Sequence, residues 1–181
     1  SKVVSINDPV YFIADIASNH DGDLNQAKEL IWQAKEAGAD AVKFQHFLAD
    51  KIVSDYGFKH LGKQAGHQAA WKKSVFDVYR ECECKRSWSQ ELADTAHQAQ
   101  IDFMTTPYDV EAVNELDKYI PAYKIGSGDI TWIDFIQMIA EKNKPVLLAT
   151  GASDMCDVAR AVEAIININR NIVLMQCNTN Y

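Results

Sequence analysis

Lys124, Ser127 and Asp129 sit within six residues of one another in the run Tyr123-Lys-Ile-Gly-Ser-Gly-Asp129. One side supplies a cation, one a hydroxyl and one a carboxylate. Gly126 and Gly128 between them let the backbone approach a ligand and expose its amides. That combination suits a phosphorylated or carboxylated small molecule, with the acid left over for proton or hydroxyl work. The same residues also describe a plain turn beside a snorkelling lysine.

The elements that must position these groups are legible from pattern. Ala122 to Ile125 reads as a short buried strand that runs directly into the glycine turn. Five more such runs are present: Tyr11 to Ile16, Ala41 to Gln45, Asp102 to Thr105, Pro145 to Ala149 and Ile172 to Gln176. Helical spacing lies between them. Asp23, with Gln26 at the capping-box position, opens a helix through Leu24, Ala27, Leu30, Ile31 and Ala34, which Gly38 ends. Ser74 to Arg86 reads as helical. Ser87 with Gln90 opens another helix, Asp109 caps one through Leu116, Ile133 to Glu141 forms one, and Ser153 caps the last through Ile166. Short βαβ links imply parallel pairing with right-handed crossovers. Residues 46–75 show no clean period and read as an excursion, a lid or a contact surface.

Polar residues recur just after each strand: Asp15 and Asn19; Lys43 and Gln45; Thr105 and Thr106; Lys124, Ser127 and Asp129; Thr150; Thr179 and Tyr181. In parallel α/β folds those carboxyl ends share the ligand-binding face. Six dispersed clusters on one face weigh more than any one of them. A complete (β/α)8 barrel takes about 250 residues, and this chain has 181. The expectation is a TIM-type (β/α)8 barrel of which residues 1–181 carry the first six βα units. A finished open sheet is the alternative.

Composition narrows the partners. Apolar residues make up 48% and charged ones 24%, as in a soluble globular domain, and 18 basic against 25 acidic residues give a net charge of −7. No basic stripe invites nucleic acid. No apolar run has membrane-spanning length, and the first residues carry no signal-peptide core, so cytoplasm is the expectation. Cys82, Cys84, Cys156 and Cys177 fit reduced structural thiols. Cys82-x-Cys84 has no second close pair, and His97 is not at a common zinc spacing. His20 reads as a hydrogen-bond donor in its turn rather than a metal ligand.

Several of these stretches together resemble the N-acetylneuraminate (sialic acid) synthase family. They are Phe12-Ile-Ala-Asp15-Ile-Ala-Ser-Asn19-His20-Asp-Gly22, Gly38-Ala-Asp-Ala-Val-Lys43-Phe-Gln45, Phe103-Met-Thr-Thr106-Pro107-Tyr, Ile120-Pro-Ala-Tyr-Lys124-Ile-Gly-Ser127-Gly-Asp129, Leu148-Ala-Thr150-Gly151 and Cys177-Asn-Thr-Asn180-Tyr181. The resemblance covers nearly the whole chain in the right order. It implies a TIM barrel that condenses phosphoenolpyruvate with N-acetylmannosamine or a relative, giving a nonulosonic acid and phosphate. By that likeness Lys43, Lys124 and Ser127 hold the phosphoenolpyruvate, with Thr179 adding a hydroxyl. Gln45, Thr106 and Tyr181 face the sugar. Asp15 and Asp129 orient the sugar hydroxyls and the attacking water. The likeness also implies a homodimer and a divalent metal, manganese or magnesium. It places the metal-binding histidines, and a small C-terminal antifreeze-like domain, beyond residue 181. The metal site is therefore expected to be absent from this chain, and the chain alone is not expected to turn over.

The sequence departs from the family pattern at four positions. Asp15 stands where glutamate is usual and Asp129 where it is frequent, Ala149 replaces a hydroxyl residue, and Gln176 replaces a histidine. Each shorter acid changes reach into the sugar site. Two other readings stay open: a Schiff-base aldolase with Lys124 as nucleophile, and a truncated chain that binds ligand or assembles without catalysis.

Overall fold

The computed structural model describes residues 4–61, 68 and 71–179. Six strands form one sheet: β1 (Ile13–Ala17), β2 (Ala41–His46), β3 (Asp102–Pro107), β4 (Tyr123–Ile125), β5 (Val146–Ala149) and β6 (Ile172–Met175). Every pair is parallel, and spatial order follows chain order from β1 to β6. The helices are α1 (Leu24–Glu36), α2 (Ala49–Ile52), α3 (Asp55–His60), α4 (Val75–Glu81), α5 (Ser89–Gln98), α6 (Val110–Leu116), α7 (Ile133–Ala140) and α8 (Met155–Ile166).

The two-residue period of a strand sorts the side chains. Val42, Phe44, Phe103, Tyr123, Ile125, Val146 and Leu148 point to one face. There they share a core with Ala27 and Ile31 of α1, Leu92 and Ala96 of α5, Ile136 and Ile139 of α7, and Ala161 and Ile165 of α8. The intervening residues Asp15, Lys43, Lys124 and Leu147 line a cleft on the opposite face. Ile13 of β1 and Met175 of β6 line that same cleft. The two end strands of the sheet reach one cavity only because the sheet curls.

The first helix ends as expected. Gly38, at φ +86°, follows the C-cap Ala37. Gly38 N donates to Lys35 O and Ala39 N to Ala34 O, both at 3.0 Å, the paired bonds of a Schellman motif. At its start Asp23 Oδ1 accepts from Asn25 N and Gln26 N. The capping box does not close, because Gln26 Nε2 donates instead to Asn19 O and Asp21 Oδ2.

Other boundaries differ for physical reasons. β1 begins at Ile13, and Tyr11 Oη donates to Asp102 Oδ2 at 2.5 Å. α4 stops at Glu81, not Arg86. Glu83 there accepts from Ala49 N at 2.7 Å, and Cys84 drops into the core. A 3-10 turn over Arg86–Trp88 then leads into α5, so Ser87 is not its cap, and Ser89 Oγ donates back to Arg86 O. Asp154, not Ser153, caps α8. Its carboxylate accepts from Cys156 N and Asp157 N, and a charge at a helix start is favoured by the dipole. Ser153 Oγ donates to Gly151 O. The described part of the 46–75 excursion contains α2, α3 and the first residue of α4.

Candidate active site

The cleft at the carboxyl ends of the strands has a volume of about 560 Å3. β2 delivers Lys43 and Gln45, β3 Thr106, and β4 Lys124; the 3-10 turn after β4 delivers Ser127 and Asp129, and the segment after β6 delivers Thr179. With Asp15 from β1, the structure brings together every expected site residue it describes. Tyr181 lies outside the described residues.

Two cations face the cleft in different states. Lys43 is buried, and its Nζ reaches Asp15 Oδ1 at 2.7 Å; the Asp15 side chain is 59% exposed. Lys124 Nζ donates to Ile125 O at 3.1 Å. Burial lowers the proton affinity of Lys124, and the neighbouring Lys43 charge lowers it further. Burial acts oppositely on Asp129, whose carboxyl is raised to about 6 against the pull of Lys124. The site therefore holds two cationic groups and one acid able to exchange a proton near neutrality.

Ser127 is oriented from a neighbouring strand. Its Oγ accepts from Gly151 N at 3.0 Å, which leaves the serine proton free to donate into the cleft. Gly151, read from sequence as part of a turn, is here a close-approach glycine. A Cβ at that position would lie 2.6 Å from Thr179 Cγ2 and 3.1 Å from the Cys177 carbonyl. A Cβ on Gly126 would lie 3.3 Å from Asp129 Oδ2, whereas one on Gly128 would meet open space.

Some strand-end polar residues serve the scaffold instead. Thr105 is fully buried on the helix side and donates to Phe44 O. Thr150 Oγ1 donates to Met175 O, and Asn19 Nδ2 to Ile16 O. His20 is buried against Phe44 and Trp88, and its Nδ1 accepts from Gly22 N rather than donating.

Two groupings escaped the sequence. Tyr108 lies one residue past β3 and holds the cleft rim, its hydroxyl accepting from Gln45 Nε2 at 3.2 Å; the strand-end rule reaches it if extended by one position. The second grouping is His46, Thr105 and Cys84. Thr105 Oγ1 lies 2.7 Å from His46 Nδ1, and Cys84 Sγ 3.4 Å from Nε2. Burial drives His46 down to about 3, with Arg86 adding to the effect, and drives the Cys84 thiol up to about 12. Proton transfer from thiol to imidazole is strongly opposed, so the pair is a core hydrogen bond and not an activated nucleophile. All four cysteines are free. Among the described residues no three His, Cys, Asp or Glu side chains converge to hold a metal ion, and no helix is long and apolar enough to cross a membrane.

The chain is similar to known proteins in sequence and in fold. The chain is 35% identical over 184 residues to the spore coat polysaccharide biosynthesis protein SpsE of Bacillus subtilis, covering 100% of this chain and 48% of that protein. It is 34% identical over 176 residues to the N,N'-diacetyllegionaminic acid synthase of Campylobacter jejuni, covering 93% of this chain and 51% of that one. The chain thus spans about half the length of each. The crystal structure of N-acetylneuraminic acid (sialic acid) synthetase from Leptospira borgpetersenii, in complex with citrate, superposes with a TM-score of 0.81 at 25% identity. It is matched over 100% of this chain and 60% of that one. The NeuB family model matches residues 30–181, a span that holds β2 to β6 and every cleft residue named above except Ile13 and Asp15. The chain belongs to the NeuB family.

Proposed function

We propose that this chain forms the phosphoenolpyruvate-binding half of a TIM-barrel synthase that joins phosphoenolpyruvate to an N-acetylated sugar, releasing phosphate and a nonulosonic acid. The observation that carries the reading is the convergence of Lys43, Lys124 and Ser127 on one cleft beside Asp129. Phosphoenolpyruvate is a multiply charged anion, and two ammonium groups with an oriented hydroxyl suit its phosphate and carboxylate. Arrival of that anion also offsets the repulsion between Lys43 and Lys124.

The residues then divide the work. Lys43 and Lys124 hold the anion, and Ser127, fixed by Gly151 N, donates to one of its oxygens. Thr179 adds a second hydroxyl near the same oxygens. Gln45 and Thr106 face the acceptor. Asp129 accepts a proton from the water that adds to the carbon bearing the phosphate, a role suited to a carboxyl near 6. Asp15 steadies Lys43 and meets the acceptor from the solvent side. In the relatives' family a divalent metal assists; among the described residues no three His, Cys, Asp or Glu side chains converge to hold one.

The test is phosphate release. The whole protein should release phosphate from phosphoenolpyruvate only when N-acetylmannosamine or a related acceptor is also present. Release without an acceptor, or no release with any of them, refutes the reading. A second reading draws on the lowered proton affinity of Lys124, which suits a nucleophilic amine. It requires that borohydride trap a carbonyl substrate on Lys124.

A further inference from the structure

The lysine cleft continues into a second one of about 470 Å3, and Gln45, Tyr108, Gly128 and Asp129 line both. Across that boundary the lining becomes mostly apolar and aromatic, and the lysine that remains there, Lys51, is paired with Glu111 at 2.6 Å. Phe47, Tyr79 and Trp132 line the second cleft. The Phe47 ring packs 5.6 Å from Tyr79 and edge-on to Tyr108 at 6.0 Å.

Trp132 is held differently from the rest of this wall. Its backbone N–H donates to Asp129 O at 2.9 Å, which ties the start of α7 to the acidic turn. Its ring stacks on Phe135, with centroids 4.3 Å apart and planes 13° apart. Phe135 is buried, whereas Trp132 is 43% exposed. Trp132 thus stacks on the core through Phe135 and stays partly exposed in the cleft that Asp129 also lines.

We infer that Trp132 is a stacking platform for the acceptor, taking the apolar C–H face or the N-acyl methyl of an amino sugar whose hydroxyl edge meets Asp129 and Gln45. A pyranose carries C–H groups on its faces and hydroxyls around its edge. The cleft offers the complement, an aromatic surface bounded by a carboxylate and an amide. The anion belongs in the half where Lys43 and Lys124 converge, since Lys51 in the second cleft is already paired with Glu111. Naming the sugar as acceptor rests on the function proposed above; the subsite itself rests on the geometry.

The test measures the binding of N-acetylmannosamine and of phosphoenolpyruvate to the whole protein separately, by calorimetry, in Trp132→Ala and Trp132→Phe. The alanine variant should weaken the sugar about tenfold and leave phosphoenolpyruvate within about twofold, and phenylalanine should restore most of the loss. Tryptophan emission should change on adding the sugar to the wild type and much less in Trp132→Phe. Parallel losses for both ligands, absence of sugar binding, or equal emission changes overturn the inference. Sugar binding with these signatures but without phosphate release refutes the condensation and leaves the subsite standing.

Discussion

Asp15 and Lys43 lie directly opposite one another in the β1–β2 ladder, and their charged ends meet at 2.7 Å. The lysine is buried and the aspartate is open to solvent. An incoming anion therefore meets a cation already shared with a carboxylate. Asp15→Asn should tighten phosphoenolpyruvate binding by about threefold, because a negative neighbour is removed in a partly screened setting. Turnover should nevertheless fall. Calorimetry together with phosphate release reads both, and weaker phosphoenolpyruvate binding in this variant would show that Asp15 supports the anion rather than competing with it.

Replacing Lys124 with Met keeps the length and removes the charge. Phosphoenolpyruvate affinity should drop by about tenfold or more, the scale of a lost charge-assisted hydrogen bond. Affinity for the sugar should change much less. Equal losses for both ligands would mean that Lys124 serves the fold.

Asp129 carries a pH signature of definite sign. Its carboxyl is raised to about 6 by burial, above its ordinary 3.8. The folded state holds that proton more tightly than the unfolded one, so the group stabilises the fold at low pH. That contribution fades as pH rises through the folded value. Asp129→Asn should therefore be more stable than the wild type at pH 7 to 8, with the gap closing as pH falls from 6 towards 4. Thermal melts across that range check it. The acid limb of turnover near pH 6 should vanish in the same variant.

Gly151→Ala should damage ligand binding more than folding. Its methyl would press on Thr179 and on the Cys177 carbonyl and sit 3.0 Å from Ser127 Oγ. Overpacking of this kind costs about 1–3 kcal/mol. Displacing Ser127 should weaken phosphoenolpyruvate about tenfold while the variant still melts cooperatively. An unaltered dissociation constant would show that the Gly151 to Ser127 bond is incidental.

Thiol labelling at pH 8 should separate the cysteines. Cys156 is exposed and should react first, and Cys84, buried with its thiol pushed up to about 12, should react only on unfolding. Rapid labelling of Cys84 in the native protein would contradict the core hydrogen bond to His46.

Lys43, Lys124, Ser127 and Asp129 were legible from sequence because parallel strands place their carboxyl ends on one face, whatever their order in the chain. Thr105 shows where that rule is too coarse. It sits beside Thr106, but strand alternation turns it to the helix side. Ser153 and Asp154 are both good caps, and only tertiary placement decided between them. The early end of α4 was hidden because Cys82 to Arg86 is compatible with a helix, and burial of Cys84 overrides that tendency. Gly151 looked like any turn glycine until Thr179 and Ser127 were seen to crowd it. Nothing in the spacing of Trp132 marks it as facing a cleft, since the stack on Phe135 and the approach to Tyr79's cleft arise only on folding.

The sequential strand order has a kinetic consequence. Most neighbours in the sheet close short stretches of chain, as in Thr105 with Tyr123 or Val146 with Ile172. Ala41 with Asp102 closes the longest. Loop closure must be met before such a contact gives anything back, so distant pairings form late. The β3 to β6 portion can assemble as one unit and the β1–β2 pair as another. Their joining closes the longest of these stretches and brings Lys43 to Lys124, so the ligand cleft forms after both portions.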